Sequence, residues 1–205
     1  MIYRLLVATL VSLTPAVCLA DDEGWISLFD GETLDGWKVG ENPDAFQVVD
    51  GKIVAHGPRA HLFYVGPDGD AEFTNFHFKA EVMTMPGANS GIYFHTRFQE
   101  EGWPRIGHEI QVNITHGDPQ KSGGLYGVVP VSDPPAEDNE WYAQEIIVRG
   151  KHVISIIDGE TLVDYTEPDD VTGDRRIDRG TFALQSHDPD SRTYFRNLEV
   201  KPLDD

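Results

Sequence analysis

The sequence predicts an all-β fold, a single domain in which two antiparallel sheets pack as a β-sandwich of the jelly-roll kind. Three observations support this prediction. Asp-Gly pairs, which favour tight turns, occur five times between short apolar runs. Those runs alternate apolar and polar residues with the two-residue period of a strand. No segment combines a long 3.6-residue period with capping residues, which disfavours major helices.

The strand patterns follow one another at short, even intervals along the chain. Residues 45–55 form a predicted hairpin, and residues 145–165 form a meander of three strands joined by tight turns. Such spacing is typical of a sandwich. The remaining predicted strands are residues 75–84, 90–98, 108–114, 180–187 and 193–203.

Three longer segments interrupt the strands and have no strand pattern of their own. They are residues 98–107, 116–140 and 167–176. Loops of this length are often functional, because a rigid scaffold can hold their side chains over a binding site.

The first 20 residues have the features of a secretory signal peptide. Arg4 precedes an apolar run that ends at the small residue Ala20, and the run is too short for a convincing membrane span. We therefore expect a periplasmic or secreted protein whose mature domain is residues 21–205. Cys18 raises a lipoprotein alternative, although the residues before it fit a lipid-attachment motif poorly.

The negative charge of the chain excludes some classes of binding partner. The formal net charge is -19, and such a surface repels nucleic acid and anionic lipid, so neither is expected as a partner. We expect no membrane insertion of the mature chain. The sequence has no His-Glu-x-x-His motif, no Cys cluster and no Gly-rich phosphate loop, so we expect no cofactor. Acidic loops at 167–170 and 188–191 offer oxygen ligands of the kind that bind structural calcium.

Three predicted strands have outward faces rich in fixed hydrogen-bonding groups. If these strands are neighbours on one concave sheet, their side chains form a polar patch, and loop residues Trp103, Tyr126 and Trp141 could add flat apolar surfaces. A sugar needs this combination, because its hydroxyls pair with polar groups and its C–H face stacks on aromatic rings. The alternative is a solvated sheet face without a ligand. The outward residues are Tyr93, His95, Arg97, Glu109, Gln111, Asn113, Gln185 and His187.

At these residues the sequence resembles a known family. Nine segments occur in the order found in the 3-keto-disaccharide hydrolase domain family, and the resemblance extends over roughly residues 24–203. The resemblance implies a concanavalin-like β-sandwich and a small-molecule or oligosaccharide substrate. The segments are GWISLFDGETLDGW, GKIVAHGPRAHLFY, NSGIYFHTRF, GHEIQVN, SGGLYGV, NEWYAQEIIVRG, IDGETL, GTFALQSH and YFRNLEVKPL.

The implied reaction is cleavage of a glycoside whose C3 hydroxyl has been oxidised to a ketone. The ketone acidifies the C2 proton, so a base can remove that proton while the aglycone leaves from C1, and water can then add to the enone. This chemistry needs a base, an acid for the leaving oxygen and a donor for the enolate. Ordinary glycoside hydrolysis needs two carboxylates, whereas the predicted polar faces contain one, Glu109.

The resemblance also implies roles for individual residues. Glu109 and His95 are the leading acid/base candidates, and Arg97 or Lys121 would stabilise the enolate. Tyr126 and Trp141 would stack or donate hydrogen bonds. Asn89, Gln111, Asn113 and Gln185 would bind hydroxyls. Further substrate-binding candidates are His61, Tyr64, Tyr93 and His187.

Two functions of other classes remain open at this point. The same patch in the same fold would serve a non-catalytic, lectin-like carbohydrate-binding module. A structural or partner-binding domain of the cell surface would need no glycan site at all.

Overall fold

The structure, a computed structural model, describes residues 24–204. The predicted signal peptide at residues 1–20 lies outside the described residues and stays a prediction. Within the described part the sole helical element is a short 3-10 turn, Pro43–Ala45. The strands are β1 Ile26–Ser27, β2 Trp37–Val39, β3 Phe46–Val49, β4 Lys52–Ala55, β5 Ala60–Tyr64, β6 Phe76–Thr84, β7 Asn89–Thr96, β8 His108–Asn113, β9 Tyr142–Arg149, β10 His152–Ile157, β11 Glu160–Thr166, β12 Thr181–Ser186 and β13 Thr193–Pro202.

The strands form two antiparallel sheets. The larger sheet has the order β11-β10-β9-β6-β13-β4-β3, with β1 also paired to β13, and the smaller has the order β2-β5-β12-β7-β8. The predicted β-sandwich is therefore confirmed. Residues 24–204 contain no helix that is long and apolar enough to cross a membrane.

The core lies between the two sheets and is rich in phenylalanine. Phe182 of β12 contacts Phe76 and Phe78 of β6, with ring centroids 4.9 and 4.8 Å apart. In β6 the buried residues alternate with partly exposed ones, as expected for a strand with one face in the core. This packing fixes the smaller sheet against the larger one.

Four of the five strands of the smaller sheet are buried on both faces. All residues of β5, β7, β8 and β12 are buried, including those on the face that points away from the core. The segment after β8 also covers its edge, because Leu125 bridges to Ile110 and the Tyr126 amide donates to the Glu109 carbonyl at 2.9 Å. The polar face that the sequence predicts as an outward patch is thus covered by other parts of the protein, and it forms the floor of a cavity.

Most strands follow the sequence prediction. The predicted hairpin is β3–β4, the meander is β9–β10–β11, and the other five predicted strands match β6, β7, β8, β12 and β13. The strands β1, β2 and β5 were not predicted. β1 and β2 are only two and three residues long. β5 ends in three consecutive apolar or aromatic residues, Leu62, Phe63 and Tyr64, so it lacks the alternation that identifies a strand.

Candidate active site

A cavity of about 300 Å³ lies over the polar face of the smaller sheet. Its floor comes from β7, β8 and β12, and its walls come from the three loops that the sequence marks as long. The volume is at the lower end of the range for small-molecule sites. The residues that line it are Asn89, Tyr93, Trp103, Pro104, Glu109, Gln111, Asp118, Tyr126, Arg175, Gln185 and His187.

Glu109 is the acid at the floor of the cavity. Its side chain is 5% exposed, and the Gln185 amide donates to its Oε1 at 3.1 Å. Tyr93, directly opposite on β7, hydrogen-bonds to the same carboxyl group. Burial raises the pKa of Glu109 to about 7, although the Tyr93 hydroxyl and the nearby charge of Arg175 act in the opposite direction. The carboxyl group can therefore gain or lose a proton near neutral pH.

Gly91 makes room for this carboxyl group. A Cβ built at Gly91 would lie 2.8 Å from the Glu109 carboxyl carbon, closer than two carbon atoms approach without overlap. The backbone of Gly91 has ordinary strand geometry, so the need for glycine here is one of space and not of conformation. The side chain of Glu109 consequently lies across the floor of the sheet between Tyr93 and Gln185.

Tyr93 stays protonated in this setting. Burial, and then the neighbouring Glu109 charge, raise the pKa of the Tyr93 phenol well above its ordinary value. The Gln185 amide also donates to the Tyr93 oxygen, at 3.1 Å. Tyr93 and Gln185 therefore fix the catalytic candidate from two directions.

A second polar chain runs from the floor to the cavity wall. Gln111 donates to Asn89 Oδ1 at 3.1 Å, and the Asn89 amide lies 3.2 Å from His116 Nδ1. The Asp118 amide also donates to His116 Nδ1, at 3.0 Å. An unprotonated Nδ1 accepts both bonds, so the contacts favour the Nε2–H tautomer of His116.

His187 is the histidine that lines the cavity. Its Nδ1 lies 2.6 Å from Asp188 Oδ2, so the carboxylate orients the ring and leaves Nε2 as the free nitrogen. The ring packs against Trp103, with centroids 5.2 Å apart. Trp103 is 43% exposed at the mouth of the cavity, which is high for an indole in a well-packed protein.

The loop residues Asp118 and Tyr126 add a second acid to the cavity. The Tyr126 hydroxyl donates to Asp118 Oδ2 at 3.3 Å. Burial, followed by the Asp118 charge, raises the pKa of Tyr126, so this phenol is also a neutral donor. The cavity therefore has two acids, Glu109 from the predicted strand face and Asp118 from the loop. The strand alternation could not show Asp118, because it lies in the irregular segment after β8.

Arg175 supplies the positive charge of the cavity. It belongs to the loop between β11 and β12, and its charge offsets part of the rise that burial causes in the pKa values of Glu109, Tyr93 and Tyr126. This cation was not predicted. The one signal in the sequence was the length of the 167–176 loop.

The prediction that His95 shares the site with Glu109 is wrong. The pairing of β7 with β12 shifts register between Thr181 and Ala183, and His95 has a φ of 52°. The extra residue at this bulge breaks the alternation and turns His95 towards the core, where its ring contacts Phe76 and Phe94. Its nitrogens contact the backbone, with Nε2 2.9 Å from the Thr74 oxygen.

Arg97 and Tyr64 also lie elsewhere. Arg97 is exposed beyond the end of β7 and lines two smaller depressions, so it does not reach the enolate position proposed for it. Tyr64 is 5% exposed and packs edge-on against Trp37 in the core, with ring centroids 5.1 Å apart.

The cavity is not lined by Asn113, Lys121 or Trp141, whose side chains contact other parts of the protein. Asn113 Nδ2 donates to the carbonyls of Asp118 and Gln120, and Lys121 donates to the His116 carbonyl at 2.6 Å. Both residues therefore shape the wall that holds Asp118. Trp141 lies under the Arg196 guanidinium, 4.0 Å from the ring centroid, beside a different depression.

His61 supports the cavity from behind. Its ring contacts Tyr93 and Trp103, with centroids 5.3 and 5.6 Å apart, but it is not among the lining residues. Eight predicted residues do line the cavity and stay together as a candidate site. They are Asn89, Tyr93, Trp103, Glu109, Gln111, Tyr126, Gln185 and His187.

No group of three or more His, Cys, Asp or Glu side chains among residues 24–204 is placed to hold a metal ion. In the acidic loop at 188–191, the Asp188 carboxylate accepts from the Asp190 and Ser191 amides. In the other acidic loop, Glu167 accepts from the Ile177 amide.

Comparisons with known proteins identify the family and agree with the fold. The model of the 3-keto-alpha-glucoside-1,2-lyase-like domain family matches residues 24–201. A 3-keto-disaccharide hydrolase from Bacteroides thetaiotaomicron is 25% identical in an alignment that covers 90% of this chain and 80% of that protein.

Solved structures show the same fold. A Parabacteroides distasonis protein, provisionally described as a glycosyl hydrolase, has a TM-score of 0.77 at 24% identity, covering 94% of this chain and 99% of that one. The carbohydrate binding module CBM66 from Bacillus subtilis has a TM-score of 0.58 at 11% identity, covering 81% and 95%. The resemblance seen in the sequence is confirmed, and the chain belongs to the 3-keto-alpha-glucoside-1,2-lyase-like domain family.

Proposed function

We propose that this carbohydrate-active protein is an enzyme that cleaves 3-keto-glycosides, with Glu109 as the base that removes the C2 proton. The observation that carries the proposal is the buried Glu109 carboxyl group, whose pKa is raised to about 7, at the floor of a cavity lined by hydrogen-bonding side chains. A general base works best when its pKa lies near the working pH.

The first step moves one proton and one electron pair. Glu109 takes the proton from C2, and the C2–H electrons form the enolate of the C3 ketone. Tyr93 and Gln185 hold the carboxyl group in place through their hydrogen bonds. Arg175 supplies positive charge for the developing enolate, in place of the Arg97 or Lys121 that the sequence suggested.

The second step expels the aglycone. The enolate re-forms the ketone, a C1–C2 double bond forms and the C1–O bond breaks, so the leaving oxygen needs a proton. The proposed donor is His187 in its doubly protonated form, because its Nδ1–H donates to Asp188, which orients the ring, and its Nε2–H is free to protonate the leaving oxygen. Asn89 and Gln111 remain as binding groups for sugar hydroxyls.

Water addition would distinguish two products of the same site. Elimination alone gives an enone, which is a lyase product, whereas water added at C1 gives the free 3-keto sugar, which is a hydrolase product. The base, the acid and the cation of the proposed reaction are all side chains, so we propose that the protein needs no cofactor.

The test is aglycone release from a 3-keto-glucoside and from the matching unoxidised glucoside. We expect release from the ketone alone, and a loss of at least 100-fold in Glu109→Gln, since a base contributes about 10²–10⁴-fold. Glu160→Gln, an exposed residue of the larger sheet, is the matched control and should keep full activity. Binding of both sugars without turnover of either would favour the non-catalytic module.

A second candidate function follows from the presence of Asp118. Glu109 and Asp118 both line the cavity, and ordinary glycosidases use a pair of carboxyl groups as their catalytic acid and base or nucleophile. In that case the unoxidised glucoside would be cleaved, and Asp118→Asn would reduce its turnover as strongly as Glu109→Gln does.

We also propose that the protein is exported, to the periplasm or beyond, because residues 1–20 have the sequence of a signal peptide. Mass spectrometry of the protein from its native cells should find a mature amino terminus near Asp21. An intact Met1 in the soluble cytoplasmic fraction would contradict export.

A further inference from the structure

The loop that bears Arg175 is fixed by backbone contacts on both sides of that residue. The Gly107 amide donates to the Asp174 carbonyl at 3.1 Å. The Ile177 amide donates to Glu167 Oε1 at 3.0 Å, and the Asp178 amide donates to His95 Nδ1 at 3.1 Å. Arg175 itself is exposed at the cavity wall, so its position depends on these flanking contacts.

His95 connects this loop to a different part of the chain. Its Nδ1 accepts from the Asp178 amide while its Nε2 lies 2.9 Å from the Thr74 carbonyl oxygen, so the ring is neutral with the proton on Nε2. Burial lowers the pKa of His95 to about 4, which keeps this tautomer at neutral pH.

Glu167 contacts the strand that bears the proposed base. Its Oε1 lies 3.4 Å from Nε2 of His108, the residue immediately before Glu109 on β8. Both side chains are nearly inaccessible, at 3% and 5% exposed, and the His108 ring packs on Phe94 with centroids 5.8 Å apart. Adjacent strand residues point to opposite faces, so this contact lies behind the sheet from the cavity.

Stability alone is a poor reason for such a contact. A carboxylate and an imidazole buried together lose hydration, and apolar residues of similar size often stabilise a core as well or better. Neither ring nitrogen of His108 has a well-aligned hydrogen bond. The contact does fix the position of the loop that bears Arg175 relative to β8.

We propose that His95, His108 and Glu167 form a buried clamp that positions Arg175 beside Glu109. The three are positioning residues, because they act through Arg175 and do not line the cavity. The inference rests on the proposed function for its kinetic consequences, but the placement of Arg175 can be tested without a substrate.

The first test measures the pKa of Glu109 by carbon-13 NMR of the side-chain carboxyl groups, assigned with Glu109→Gln. Arg175→Ala should raise this pKa, and Glu167→Gln should raise it as well if Arg175 is released. Loss of the Glu167 negative charge by itself would act in the opposite direction and lower the pKa. A lowered or unchanged pKa in Glu167→Gln would overturn the clamp.

The second test is a kinetic double-mutant cycle on the 3-keto-glucoside. Arg175→Ala should reduce kcat about 100-fold and Glu167→Gln about tenfold, both with little change in KM. Adding Glu167→Gln to Arg175→Ala should cause no further loss, whereas an additive loss would mean that Glu167 acts independently of Arg175. Glu72→Gln, which removes the exposed partner of Arg179 in the same loop, is the matched control and should leave kcat unchanged.

A measurement on the unmodified protein covers the case in which Glu167→Gln does not fold. Hydrogen exchange of the Ile177 and Asp178 amides should be as slow as that of the buried strands, because both amides are bonded to buried side chains. Fast exchange of these two amides would overturn the clamp. If the wild-type protein fails to turn over any 3-keto-glycoside, the proposed function is wrong. The NMR and hydrogen-exchange results still test whether the clamp positions Arg175.

Discussion

Glu109→Gln should stabilise the protein at high pH while it abolishes activity. The folded state holds this carboxyl group with a pKa of about 7, against 4.5 for an unperturbed glutamate. Between these two values the folded protein binds more protons than the unfolded chain, so the free energy of unfolding falls as the pH rises. A neutral glutamine of the same shape removes this dependence.

The magnitude follows from the size of the pKa rise. At about 1.4 kcal/mol per pKa unit, a rise from 4.5 to about 7 corresponds to roughly 3 kcal/mol. This destabilisation of the folded protein is nearly absent at pH 4, where the Glu109 carboxyl group is protonated in both the folded and the unfolded state. It reaches its full size above about pH 8. For a domain of this size, the variant should melt roughly 6–12 °C higher than wild type at pH 9.

Urea unfolding of wild type and Glu109→Gln at pH 5, 7 and 9 provides the assay. The difference in unfolding free energy between the two proteins should grow from pH 5 to pH 9. Glu160→Gln, on the exposed edge strand β11, should give no such trend. If Glu109→Gln is less stable than wild type at pH 9, or the difference does not vary with pH, then burial does not raise the pKa of Glu109 and the proposed base is wrong.

Three further predictions concern the same cavity. The kcat/KM for a 3-keto-glucoside should rise with pH through about 7 as Glu109 loses its proton, and a flat profile from pH 5 to 9 would exclude Glu109 as the base. Gly91→Ala should reduce kcat about 100-fold or more because its methyl group displaces the Glu109 carboxyl, whereas Gly117→Ala, which enters open space, should have no effect; equal activities would refute the packing argument. Trp103→Ala should raise KM about tenfold for an aryl 3-keto-glucoside and less for the methyl analogue, since the exposed indole lines the cavity mouth; equal changes for both substrates would rule out stacking.

The fold and the floor of the site could be predicted because both depend on strand alternation. Tyr93, Glu109, Gln111 and Gln185 line the cavity because their strands are neighbours and have the predicted parity. The prediction failed for His95, where one extra residue at a bulge in β7 reverses the parity. Nothing in the local sequence marks that bulge, because it arises from the pairing of β7 with β12.

The residues that form the walls of the site could not be predicted from the sequence, for a different reason. Asp118 and Arg175 lie in loops whose paths are set by hydrogen bonds between side chains and the backbone, such as those of Asn113 and Glu167. A loop without periodicity gives no direction for its side chains, so its length indicated a functional segment without indicating which residues enter the cavity. Lys121 and Trp141 were chosen from such loops and lie outside the cavity.

The central claim is that the Glu109 carboxyl removes the proton from C2 of a 3-keto-glycoside. It is tested most directly by running the reaction in heavy water at a pD above 7 and locating deuterium in the products by mass spectrometry. Any free 3-keto sugar formed by water addition should contain solvent deuterium at C2, and Glu109→Gln should introduce none above the enzyme-free background. Release of the aglycone at the wild-type rate with the original hydrogen still on C2 would contradict the central claim.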